Sequence, residues 1–151
     1  SPKVPTYDLE PAMNSAGVGD AMVAQIKAGT HPFMVCNFAA PDMVGHTGVM
    51  DNAIIAAAAT DVELGKMAAA CRECGVALFI TSDHGNCETM LTPDGKPITS
   101  HSTTPVPFVG LMPGSDAKFT RLEGGVADVA PTLLTYMGLP IPPEMTGMSL
   151  L

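Results

Sequence analysis

The chain opens with Pro2, Pro5 and Pro11, which favour an extended backbone. Over residues 20–27 apolar side chains recur at helical spacing, and Gly29 stands where that helix should stop. Residues 33–38, Phe-Met-Val-Cys-Asn-Phe, form a short apolar run of the kind that builds a buried strand. A Pro- and Gly-marked loop follows, from Ala39 to His46. Residues 49–74 are the longest helical candidate, Ala-rich and broken only by Gly65, with Gly75 as the stop. Residues 76–80 read as a second buried strand that runs into the polar loop 81–86. Residues 92–97 read as a turn at the tip of an excursion. A third strand is expected over residues 106–111, where Pro107 favours an edge position or an irregular start. The last helix spans residues 128–137, with Asp128 able to cap it, Pro131 in its first turn and Gly138 beyond its end. An extended Pro-rich tail closes the sequence.

This alternation predicts an α/β protein with a mostly parallel sheet. Ligands of such sheets sit outside the carboxyl ends of the strands. The polar clusters fall there: Asp42 and His46 after the first predicted strand, Asp83 and His84 after the second.

Composition narrows the picture. The 151 residues suit one domain, and a chain of this length buries about 68–70% of its unfolded surface. Apolar residues make up 46% and charged residues 15%, which argues against disorder. With aromatics at 5%, no Trp and 11 Met, the core must be built from aliphatic and Met side chains. The net charge is −8 and no basic run exists, which argues against nucleic-acid binding. No apolar run reaches membrane-spanning length, and the opening residues, which have no apolar core, are not expected to be a secretory leader. Cys36, Cys71, Cys74 and Cys87 read as free, part-buried thiols in a reducing compartment, because Cys71-x-x-Cys74 has no second pair at zinc-site spacing. A cytoplasmic location is therefore expected. The start at Ser1 rather than Met fits an expression product, a proteolytic fragment or a domain cut from a longer chain.

His46, His84 and His101 lie in predicted loops beside Asp, Ser or Thr. Any one of them alone reads as a solvated or hydrogen-bonded side chain, and His31 keeps that reading. Asp42 with His46 alone reads equally as a loop hydrogen-bond pair or as part of a metal site. Three clusters at predicted strand ends tip the balance towards metal. Carboxylate with imidazole suits Zn, Mn, Fe and related ions. Two Asp and three His exceed what one ion with an open position needs, and a two-metal centre would use them all. There is no G-x-S-x-G elbow and no phosphate-binding P-loop. Ser82, Ser100 and Ser102 stand near the cluster as possible nucleophiles, although orienting ligands or capping turns suits them better. Arg72 and Arg121 are the only Arg residues, too few for a phosphosugar pocket.

Three stretches carry a family resemblance: residues 37–48 (Asn-Phe-Ala-Ala-Pro-Asp-Met-Val-Gly-His-Thr-Gly), residues 81–86 (Thr-Ser-Asp-His-Gly-Asn) and residues 101–108 (His-Ser-Thr-Thr-Pro-Val-Pro-Phe). Together with the opening residues 1–8 and the closing residues 144–150, they resemble the cofactor-independent phosphoglycerate mutases. Asp-His-Gly alone would mark only the wider alkaline-phosphatase-like superfamily. The resemblance implies a three-layer fold, with helices on both faces of the sheet, present here only in part. It implies that residues 1–151 are the carboxyl-terminal segment of a metal-binding phosphatase domain, without the amino-terminal segment and the inserted transferase domain.

The resemblance further implies that the parent enzyme interconverts 3-phosphoglycerate and 2-phosphoglycerate through a phosphoserine, in glycolysis and gluconeogenesis. Two divalent ions would assist, expected to be manganese, with Mg, Co or Zn as alternatives. Asp42, His46 and His101 would ligate one ion, and Asp83 and His84 would contribute to the other. The nucleophilic serine and most substrate-binding residues would lie outside this chain, so the chain alone is expected to be inactive and the parent monomeric. The competing expectations are a related metal-dependent phosphomutase or phosphatase, and a non-catalytic metal-binding domain.

Overall fold

The structure is a computed structural model that describes residues 1–151. The chain divides into two compact units, Ser1–Pro113 and Gly114–Leu151.

In the first unit, α1 (Ser15–Ala28) and α3 (Met50–Cys74) pack against each other, and the short α2 (Ala40–Gly45) packs on α3. Helix α1 turns Ser15, Gly19 and Ile26 inwards, with Met22 and Val23 beside them, a stripe at helical spacing. Helix α3 buries Ala53 and Ala56 near its start and Met67, Ala70 and Cys71 near its end. It therefore serves two cores. Its first half meets Ala40, Val44 and Met90, and its second half meets Ile26. Gly75 ends α3 at φ 68°, a left-handed conformation that glycine adopts without a Cβ penalty. The buried Glu63 of α3 is paired with Lys66, 2.9 Å away, and Lys66 also reaches Asp20 of α1 at 3.3 Å.

The sheet differs from expectation. It has two strands, β1 (Leu78–Thr81) and β2 (Phe108–Leu111), paired antiparallel with Leu78 opposite Leu111. The mostly parallel order is thus not seen in this two-stranded sheet. The reason lies in the connection. A parallel pair needs a long crossover, usually helical, whereas residues 82–107 contain no helix and return as an irregular excursion.

The expected first strand, residues 33–38, joins no ladder. Met34, Cys36 and Phe38 face the second core, whereas Phe33 and Val35 are exposed. Its period of two is present, but no neighbouring strand supplies a ladder. The segment 40–45, expected as a loop, is helical, with Pro41 in its first turn, where its missing N–H costs nothing. The expected turn holds: Thr92 N–H donates to Lys96 O at 2.9 Å, and Leu91 bridges to Pro97.

In the second unit, a 3-10 turn (Val126–Asp128) leads into α4 (Val129–Tyr136). Asp128 was expected to cap this helix. Its carboxylate instead accepts the N–H groups of Met148 (2.8 Å) and Gly125 (3.0 Å), which holds its pKa below the ordinary aspartate value, helped by Arg121. The tail folds back on the helix, with Leu150 N–H donating to Thr132 Oγ1 at 2.9 Å. No helix is long and apolar enough to cross a membrane.

Candidate metal centre

Helix α2 makes Asp42 and His46 neighbours on one face, four residues apart. Val44, fully buried, anchors that helix in the first core and leaves the two polar side chains at the surface. His101 arrives from the excursion between the strands. The donor atoms of Asp42, His46 and His101 all lie within 4.8 Å of one another. Asp42 Oδ1 is 3.2 Å from His46 Nε2 and 3.2 Å from His101 Nε2. The two Nε2 atoms are 2.9 Å apart, although 55 residues separate them in sequence.

The tautomer of His46 follows from its other nitrogen. Nδ1 lies 2.6 Å from the carbonyl oxygen of Thr99, which can only accept, so Nδ1 carries the proton. In the neutral ring, Nε2 then presents a lone pair towards Asp42 and His101. A nitrogen lone pair, a carboxylate oxygen and a second imidazole nitrogen this close favour a cation among them. Donors bonded to one transition ion at about 2.0–2.2 Å lie about 2.8–3.6 Å apart. The observed triangle falls in that range, so the donor set fits a divalent ion of the zinc or manganese type. The backbone-to-histidine bond is the usual support for a ligating imidazole.

Asp83 and His84 lie beside this triangle and are not drawn into it. The His84 ring stacks on the His101 ring with centroids 3.5 Å apart and planes 17° from parallel. Asp83 Oδ1 is 3.5 Å from His84 Nε2, and its side chain is largely exposed. The two side chains form a second, more open group next to the first. Ser82 donates to the His84 carbonyl at 2.8 Å, and Ser102 donates to Glu88, so both hydroxyls act as loop ties.

A sequence profile described as the metalloenzyme superfamily matches residues 1–141. The chain belongs to the metalloenzyme superfamily. Within this superfamily it resembles the 2,3-bisphosphoglycerate-independent phosphoglycerate mutase of Caenorhabditis elegans, with 51% identity over 99% of this chain and 28% of that protein. The enzyme of the same name from Rhodopseudomonas palustris is 50% identical over 100% of this chain and 29% of its own length. A solved phosphoglycerate mutase of Leishmania mexicana, studied at low cobalt concentration, superposes with a TM-score of 0.88 at 31% identity, covering 99% of this chain and 30% of that one. The chain therefore spans under a third of the length of these relatives.

The site of this superfamily member contains two residues that sequence reasoning did not single out. Asn86 is buried and donates through Nδ2 to Asp42 Oδ1 at 2.7 Å. Glu88 accepts the Asn86 backbone N–H at 2.7 Å and the hydroxyl of Ser102. The Ser102 hydroxyl is the main reason why the Glu88 carboxyl is held down to about 2. Asn86 could have been suspected from its place two residues after His84. Nothing local marks Glu88, because its partner Ser102 lies 14 residues on.

Proposed function

We propose that this chain is the metal-binding part of a cofactor-independent phosphoglycerate mutase, in which 3-phosphoglycerate and 2-phosphoglycerate interconvert through a phosphoserine. One observation carries the reading: three donors of the types that bind transition ions meet at 2.9–3.2 Å, with the His46 tautomer set for ligation. In this reading Asp42, His46 and His101 hold one divalent ion, and Asp83 and His84 contribute to a second. Manganese is the proposed ion, and the cobalt named for the Leishmania structure is compatible with the same donors. Bound ions would supply positive charge for phosphoryl oxygens and for an attacking hydroxyl.

The chain's own groups orient this charge. Thr99 fixes the His46 ring, and the flat His84–His101 contact limits rotation of both imidazoles. Two guanidinium groups are few for a phosphoglycerate site. Arg121 is engaged by Asp128 and by the Met148 carbonyl. Arg72 is in the last turn of α3, about 30 Å along the helix from the end that packs on α2. Mutase turnover therefore needs residues beyond these, and the proposed setting is a cytoplasmic, monomeric parent enzyme.

Calorimetric titration with Mn²⁺ and Co²⁺ tests the reading on wild type, Asp42→Ala and His84→Ala. Wild type should take up an ion at the Asp42–His46–His101 site, Asp42→Ala should lose it, and His84→Ala should weaken uptake at the incomplete second site. Three superimposable isotherms would end the metal assignment.

A further inference from the structure

We propose that Asn86 and Glu88 are positioning residues that set the spacing of the Asp42–His46–His101 donors; this rests on the metal reading above.

A continuous path of polar contacts links the two halves of the site. Asp42 receives the Asn86 amide on Oδ1 at 2.7 Å and on its backbone carbonyl at 3.3 Å. Asn86 in turn gives its backbone N–H to Glu88 Oε2 at 2.7 Å. The other oxygen of Glu88 takes the Ser102 hydroxyl, and Ser102 follows His101 directly. Ser102 N–H also donates to Gly85 O at 2.9 Å, which ties the His101 strand of chain to the His84 loop. One carboxylate thereby fixes the distance between the segment beside Asp42 and the segment that carries His101.

Two further observations favour a placed Asn86 over a bystander. Its Oδ1 is buried and has no hydrogen-bond partner. A buried orphan acceptor is unfavourable, and it persists when the other end of the amide is held in place. Residue 45 is glycine, and a Cβ there would sit 2.5 Å from that same Oδ1. The helix carrying Asp42 and His46 thus leaves room for the amide to lie against it.

Outer partners of metal ligands typically change metal affinity by about 10–100-fold when removed. The test is a Co²⁺ titration followed by visible absorption, on wild type, Asp42→Ala, Asn86→Leu, Glu88→Ala, Glu88→Gln and Ser102→Ala. Asn86→Leu and Glu88→Ala should each weaken Co²⁺ binding about 10–100-fold and alter the absorption band, while far-UV circular dichroism stays that of wild type. Their double variant should lose less than the product of the single losses, because both act on one chain of bonds. Glu88→Gln, which keeps one acceptor oxygen, should recover part of the loss. Should Asn86→Leu fail to fold, Ser102→Ala, altered at an exposed hydroxyl, decides the matter by the same two readouts. Wild-type affinity and band in folded Asn86→Leu or Ser102→Ala would overturn the inference while Asp42→Ala still loses the ion. Wild type and Asp42→Ala alike in taking up no Co²⁺ would overturn the metal reading itself, and this inference with it.

Discussion

Asp42 and His46 ride on a helix, whereas His84 and His101 ride on chain with no regular structure. The helical pair is secured by apolar burial. Val44 and Ala40 of α2 are sealed against Ala53, Ala56 and Met90. The loop pair is secured by directed polar bonds: Glu88 to Ser102, Gly85 to Ser102 and Thr99 to His46. Apolar burial is indifferent to pH and tolerant of small shifts. Hydrogen bonds to a carboxylate fix direction and distance, but they weaken when that group is protonated. The site thus joins a robust half to an exacting one.

Met90 belongs to both halves, since it leaves the Glu88 loop and plugs the α2–α3 core at 2% exposure. Met90→Ala should therefore cost most, about 2–5 kcal/mol in urea unfolding, and should weaken Co²⁺ binding as well. A loss below about 1 kcal/mol would mean that the two halves are not joined there. Gly45→Ala comes next. Its methyl would press on the Asn86 amide, for an expected cost of about 1–3 kcal/mol. Unchanged stability would show that the two segments are free to move apart.

Acid should separate the halves. The Glu88 carboxyl titrates at about 2 in the fold against an ordinary 4.5, chiefly through the Ser102 hydroxyl. A depressed carboxylate stabilises the fold fully above its unfolded value, and that contribution fades as pH falls from about 4.5 towards about 2. Amide exchange over residues 85–102 should accelerate in that window while α3 stays protected, and Glu88→Gln should remove the extra acid sensitivity. Equal acceleration in both regions would erase the contrast. The smallest effect is expected at the tip of the excursion. Lys96 and Asp94 pair at 2.7 Å with both side chains exposed, so Lys96→Ala should change stability by less than about 1 kcal/mol. Co²⁺ affinity should not move.

The sequence by itself determined what is local. Gly29 and Gly75 mark the ends of α1 and α3 because a left-handed residue stops a helix within one turn. The residue types of the site were also readable, since the motifs around Asp42, His84 and His101 name their own chemistry. Tertiary structure decided the rest. Residues 33–38 carry a strand's alternation, yet pairing depends on a neighbour that no local pattern specifies. Likewise the pairing of β1 with β2 was set by how residues 82–107 return. The meeting of His46 with His101, the carbonyl of Thr99 and the brace through Glu88 depend on contacts between distant segments. Such contacts form only when the cores around Val44 and Met67 place those segments side by side, and no spacing along the chain encodes them.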